Sequence, residues 1–202
     1  MEGFLHALAV QRWDDHRYYH HNRINQSLHL VSAISFVCSY VLLFTDPVAA
    51  ALTGWLVAMT TRQVGHFIFE PKGYDTLNQA THAHKEEIKV GYNLRRKAVL
   101  LTIWALCPLA LYFDSTLMGI FAPAIDTTDY VHHVAVIWIA LGIGALLFRT
   151  VQLFLMKDVM VGLVWLTKIL TDPFHDIMLY HKAPLFLLRG QLNDPGAPRQ
   201  TR

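Results

Sequence analysis

Imidazoles and carboxylates recur at helical intervals in two separate stretches of this 202-residue chain, which carries twelve histidines. In the first stretch His21, Asn25 and His29 stand at i, i+4 and i+8, with Asn22 beside them. In the second, Gln63, His66 and Glu70 stand at i, i+3 and i+7. Each set falls on one face of a helix. A polar stripe on a helix entering a membrane is expensive unless it faces protein and finds partners there. Two such stripes on consecutive antiparallel helices can face one another. Imidazoles and a carboxylate converging between them would hold a metal ion, as Glu and His from facing helices do in carboxylate-bridged bundles. The alternative is a hydrogen-bonded polar network capping the bundle. Neutral imidazole suits zinc, copper, iron and nickel, and a mixed His and carboxylate set with open positions favours non-haem Fe(II) and oxygen chemistry. No thiolate joins the cluster, which counts against a structural zinc site.

Other histidines carry weaker signals. His82 and Glu86 stand at i, i+4 behind Thr81, a helix-capping residue type, so His82 is a further candidate ligand. The run from Lys85 to Lys89 reads equally as a solvated face with helix-supporting charge pairs, and His84 belongs to it. His175, next to Asp176, is either a ligand or part of an interfacial helix start. A site at the membrane boundary admits a fatty chain from the bilayer and polar reactants from water. A lipid carboxylate would need a cationic anchor, for which Arg23 and Arg62 are candidates, with Lys72, Arg95 and Arg96 also near.

The elements that must position these residues are membrane helices. Hydrophobic residues make up 53% of the chain and charged residues 16%, too few charges to cover a soluble domain of this size. Apolar runs predict spans at about 28–44, 48–69, 98–113 and 131–156, the second carrying Arg62, Gln63 and His66 in its latter half. Val159–Leu170 and Ile177–Leu188 read as shorter amphipathic segments lying on the membrane or against the bundle. The expectation is one all-α membrane domain over 1–190: a histidine-rich segment 12–29, about four transmembrane helices, and amphipathic helices over 159–188. Residues 191–202, rich in Pro, Gly, Asn and Arg, are expected to be disordered.

The segment before the first span lacks an apolar signal region, so insertion through internal spans is expected. Basic residues crowd the segments 70–97 and 157–202, whereas Asp114–Tyr130 holds aspartates and no Lys or Arg. That asymmetry predicts both termini in the cytoplasm, in a bacterial inner membrane or, in a eukaryote, the endoplasmic reticulum. His16, His20, His21, His29, His66, His82, His84, His175 and His181 then share one side, while His132 and His133 sit on the other. The net charge of +2 is too small to suggest nucleic acid. Cys38 and Cys107 lie in apolar runs and form no disulfide framework.

Tyr19-His20-His21-Asn22-x-x-Asn25-x-x-x-His29, followed by Gln63-x-Gly65-His66-x-x-x-Glu70, resembles the membrane 2-hydroxy fatty acid dioxygenases known from fungal fatty-acid α-oxidation. The resemblance covers about residues 15–70. It implies an Fe(II) enzyme that uses O2, without 2-oxoglutarate, to cleave between C1 and C2 of a 2-hydroxy fatty acid and leave an acid one carbon shorter. It also implies iron ligands at His20, His29 and His66, with Glu70 a ligand or an orienter of one. The helical spacing prefers His21 to His20, a conflict that disappears if the helix begins near Asn22; both stay open. Asn25 and Gln63 complete the candidate catalytic set with Glu70. After Glu70 the chain departs from the family pattern at Pro71-Lys72-Gly73-Tyr74-Asp75, pointing to a divergent, bacterial branch.

Two rival readings remain at this stage. His16-x-x-x-His20-His21 matches the first histidine box of membrane di-iron hydroxylases and desaturases, although the later boxes are lacking. A non-enzymatic scaffold or transporter would use its polar stripes only to fasten helices together.

Overall fold

The computed structural model describes residues 2–70, 73–76 and 78–194. Pro71, Lys72, Leu77 and 195–202, which include most of the expected tail, lie outside the described residues.

Among the described residues the chain is helical from Glu2. Helix α1, Glu2–Tyr19, is followed after His20, His21 and Asn22 by α2, Arg23–Leu42. The break is built by Asn22, whose side-chain oxygen accepts from the backbone N–H of Ile24 at 2.8 Å and of Asn25 at 3.4 Å. This is N-cap geometry, and it satisfies N–H groups that have no partner within the helix. Asp46 caps the next helix, with Pro47 pre-set for its first turn. That helix runs over 47–69 as α3 (Pro47–Leu52), a π-helical stretch Thr53–Met59, α4 (Thr60–Val64) and a second π-helical stretch Gly65–Phe69. The backbone keeps right-handed helical angles at Thr53, Thr60 and Gly65, where one stretch passes into the next. Next come α5 (His82–Ile88), α6 (Leu94–Phe113), α7 (Thr127–Met156), α8 (Val159–Tyr180) and α9 (Ala183–Leu188). Asn93, Asp126 and Asp158 cap α6, α7 and α8 in the same manner as Asn22.

Helix α2 is the hub, packed on α8, on the 47–69 helix and on α9, while α7 packs on α3, α6 and α8. Glycines let α2 and the 47–69 helix approach closely. A Cβ on Gly54 would lie 3.0 Å from Ser39 Oγ, and one on Gly65 would lie 2.3 Å from Asn25 Oδ1. Away from this contact the core is aromatic. Trp55 stacks on Trp104 at 5.6 Å between ring centroids, and its indole N–H donates to Trp138 O at 2.8 Å. Trp138 in turn donates to Trp104 O at 3.1 Å, while the Trp104 indole N–H is left unpaired among the described residues.

Three helices are long and apolar enough to cross a membrane: Arg23–Leu42, Arg95–Phe113 and Thr127–Met156. Only 6% of the most apolar window of α6 is buried inside the protein. Val99, Ile103, Leu106 and Leu109 point outward, and α7 adds Ile143, Leu147, Phe148 and Val151. An apolar belt of this kind suits a lipid environment.

The histidine-rich segment 12–29 consists of the end of α1, a tight break and the first turns of α2. The structure differs from the sequence reading in two places. The amphipathic segments predicted at Val159–Leu170 and Ile177–Leu188 are one helix with Pro173 inside it, then the short α9. Residues 192–194, assigned above to the disordered tail, pair with the start of α2: Arg23 N–H donates to Leu192 O at 2.8 Å and Asp194 N–H to His21 O at 2.8 Å.

Candidate metal centre

His20, His29 and His66 come together where the α1–α2 break, α2 and the second π-helical stretch meet. One nitrogen from each ring lies within 4.8 Å of the others. Ring centroids are 4.1 Å apart for His20–His29, 4.9 Å for His29–His66 and 5.6 Å for His20–His66. All three are buried, His29 completely. Each arrives by a local device. Asn22 ends the break and leaves His20 just outside α2, where Gln26 Nε2 holds its carbonyl at 2.7 Å. His29 projects from the face of α2 that also carries Asn25. Gly65 removes the side chain that would otherwise hold α2 away from His66.

Each ring has a neighbour at Nδ1. His66 Nδ1–H donates to Glu70 Oε2 at 2.9 Å, and the other carboxylate oxygen accepts from Lys89 Nζ at 3.1 Å. Tyr180 Oη lies 3.1 Å from His20 Nδ1 and 3.2 Å from His16 Nδ1, so the hydroxyl donates to one ring and accepts from the other. Asp176 Oδ2 stands 3.7 Å from His29 Nδ1 and is held by Arg62 Nη1 at 3.1 Å. His20 Nε2 and both nitrogens of His29 have no hydrogen-bond partner. A buried polar atom left unpaired costs about 1–3 kcal/mol. A cation between the rings would take one lone pair from each, and partners at Nδ1 are what metal-binding imidazoles use to fix tautomer and orientation. Burial, reinforced by the neighbouring His29, drives the pKa of His20 well below its ordinary value. Its neutral form, the one that ligates, is therefore favoured.

The remaining residues singled out in the sequence are dispersed around this centre. Glu70 orients His66. Asn25 is fully buried and donates from Nδ2 to Tyr19 O at 2.9 Å, bracing the break that carries His20. Gln63 lines the adjoining cavity, its Nε2 3.2 Å from Met59 Sδ. His21 is not brought to the triad: it turns the other way, with Nε2 3.2 Å from Asn78 Nδ2 and 3.6 Å from Asp75 Oδ2. His82 is exposed on the first turn of α5, and His84 is exposed beside it. Arg23 is engaged with Gln26 and Asp194, whereas Arg62 lies in the cavity wall, ion-paired with Asp176. His175 is half-buried on α8 and is not one of the grouped ligands. The box His16-x-x-x-His20-His21 is thus split three ways, with only His20 at the centre.

Sequence reasoning missed Tyr180, Asp176, Asp172 and Lys168. The signal was present. Residues 168, 172, 176 and 180 repeat every four positions along α8, but dividing that helix at Pro173 hid the stripe.

Two of the triad, His20 and His66, line a cavity of about 470 Å³ that runs between α2, the 47–69 helix, α7 and α8. His20, His66, Gln63, Arg62, Lys97 and Lys168 line its polar part, and Leu43, Ala50, Trp55, Ile139, Gly142 and Ile143 line its apolar part. Residues 9–81 match the family model described as 2-hydroxy-palmitic acid dioxygenase Mpo1-like. No curated protein and no solved structure matches the chain.

Proposed function

From its membership of the 2-hydroxy-palmitic acid dioxygenase Mpo1-like family, carried by residues 9–81, we propose that this chain is a membrane dioxygenase that uses Fe(II) and O2 to cleave a 2-hydroxy fatty acid between C1 and C2. The balanced reaction is R–CH(OH)–COOH + O2 → R–COOH + CO2 + H2O. Dioxygen accepts all the electrons released as C2 becomes a carboxyl carbon and C1 becomes carbon dioxide, so no reductant or 2-oxoglutarate is consumed.

One observation supports this reading: three buried imidazoles, those of His20 and His29 with unpartnered nitrogens, face one another beside the polar end of an apolar cavity. His20, His29 and His66 would hold the metal. Three neutral nitrogen ligands on one ion leave positions open for small reactants. Bound Fe(II) would supply O2 activation and Lewis acidity toward the substrate oxygens. The chain's own residues supply order. Glu70 and Tyr180 hold the rings of His66 and His20, Asp176 stands beside that of His29, Asn25 and Gln26 fix the backbone before α2, and the aromatic and aliphatic wall seats an alkyl chain away from water. The cavity volume falls within the roughly 300–1,000 Å³ range of small-molecule sites.

In the membrane the same reading makes the 47–69 helix a fourth span beside the three long apolar helices. Both termini and the metal centre then lie on the cytoplasmic side, where the basic segments are.

Anaerobic purification with iron quantification, then O2 uptake on adding a 2-hydroxy fatty acid, tests the proposal. The expected result is one iron per chain and equimolar O2 consumption and CO2 release. Both should be lost in His66→Ala while the protein stays folded. Two irons per chain would favour a di-iron hydroxylase, and absence of iron would sink the dioxygenase.

A further inference from the structure

Four cations line the cavity beside the triad: Arg62, Lys89, Lys97 and Lys168. Three are spent within the protein. Arg62 is paired with Asp176 at 3.1 Å and approaches Asp172 at 4.0 Å. Lys168 is paired with Asp172 at 2.6 Å and with Asp15. Lys89 is paired with Glu70 at 3.1 Å and Glu86 at 3.2 Å, and sits over the Tyr19 ring. The cavity-lining acids are engaged as well, Asp15 with Lys168 and Asp14 with Arg17 at 2.6 Å. Lys97, in the first turns of α6, has no hydrogen-bond or ion-pair partner among the described residues. It is half-buried, and it shares the cavity wall with His66, His20 and Gln63. Its charge lies near enough to act on His66 and His29.

We propose that Lys97 is the anchor for the substrate's carboxylate, the uncommitted positive charge at the polar end of the cavity against which an aliphatic monocarboxylic acid is positioned. This rests on the dioxygenase reading for the identity of the substrate, though not for the binding itself. A partly desolvated ammonium without a counter-ion is costly. A carboxylate arriving from the bilayer supplies that counter-ion and forms a charge-assisted hydrogen bond, roughly twice as strong as a neutral one. Lysine offers a compact point charge rather than a planar fork, which suits a headgroup that must also present its other oxygens to the triad. Lys97 would therefore be a positioning residue that sets which end of an alkyl chain enters first.

The test is binding, read separately from turnover. Trp55, Trp138 and Trp165 line the cavity, so ω-bromododecanoic acid and its methyl ester can be titrated into the full-length, detergent-purified chain and followed by tryptophan quenching. The parent should bind the acid about tenfold more tightly than the ester, as a charge-assisted contact predicts. Lys97→Met should abolish that preference while leaving ester affinity unchanged, and Lys97→Arg should keep it. If Lys97→Met does not fold, Lys97→Gln replaces it with the same expectation. An unchanged preference in the neutral variant, or no preference in the parent, overturns the proposal. A preference that depends on Lys97 in a protein that consumes no O2 with 2-hydroxy fatty acids would uphold the anchor and remove the reaction. With turnover present, Lys97→Met should raise KM for the acid by about tenfold, far more than it lowers kcat.

Discussion

Gly65 presses its backbone against the side chain of Asn25, so closely that a Cβ at position 65 would stand 2.3 Å from Asn25 Oδ1 and 3.3 Å from His29 Cδ2. Asn25 has little freedom to yield, because it is fully buried and its Nδ2 is bound to Tyr19 O. Gly65→Ala should therefore force α2 and the 47–69 helix apart. Overpacking of this kind costs about 1–3 kcal/mol. The expected outcome is a lower thermal midpoint together with weaker metal retention, measured by scanning fluorimetry and by metal analysis after gel filtration. A variant as stable and as metal-rich as the parent would contradict the close-packed crossing.

Glu70 joins His66 to Lys89. Glu70→Gln keeps the shape and removes the charge that polarises the imidazole. Loss of such an outer partner typically costs 10–100-fold in metal affinity, so competition against a chelator should show a drop of about that size. His66→Ala should abolish binding altogether.

Tyr180 bridges His16 and His20 through one hydroxyl. Tyr180→Phe leaves two buried imidazole nitrogens without that partner, at a cost of about 1–3 kcal/mol. The apo protein should lose that much stability in denaturant titration. Metal should restore part of the difference, because ligation re-imposes the orientation of His20.

His16 carries a pH dependence of its own. Burial is the main cause holding its pKa below the ordinary 6.5, with the nearby Asp194 opposing it. Unfolding exposes the ring, so just below pH 6.5 the unfolded chain takes up a proton that the folded chain resists. Stability should fall as pH drops from 6.5 toward the folded-state value, and this group should contribute no slope above that window. Thermal midpoints from pH 8 to pH 5 would show it, and His16→Gln should flatten the decline.

Much of this centre was legible from spacing because its residues lie on the two helices that begin and end the motif stretches. His29 on one and His66 on the other come together, with Glu70 behind His66, whereas Gln63 lines the adjoining cavity and His21 turns away. The choice between His20 and His21 was not legible. It depends on where α2 starts, and that is decided by one capping bond from Asn22 rather than by any period. The contribution of α8 was hidden for another reason. Proline usually ends a helix, yet Pro173 sits inside α8, so the ladder containing Lys168, Asp172, Asp176 and Tyr180 was read as two fragments. Lys97 was legible only as one member of a basic loop. Its significance comes from the pairing of every other cation around it, which no local window displays.

The widened turns over Thr53–Met59 set the phase of everything after them. A π turn takes up more residues per revolution than an α turn, so the helix behaves as though one residue had been inserted between the tryptophan core at Trp55 and the ligand at His66. Tightening those turns to α geometry with no residue removed would swing His66, Gly65 and Glu70 together through about a quarter of a revolution and turn that face away from α2. Removing one residue lets the same turns tighten in step, and His66 keeps its aim. A one-residue deletion in this stretch should therefore spare the centre, which a deletion in an unbroken α-helix would not.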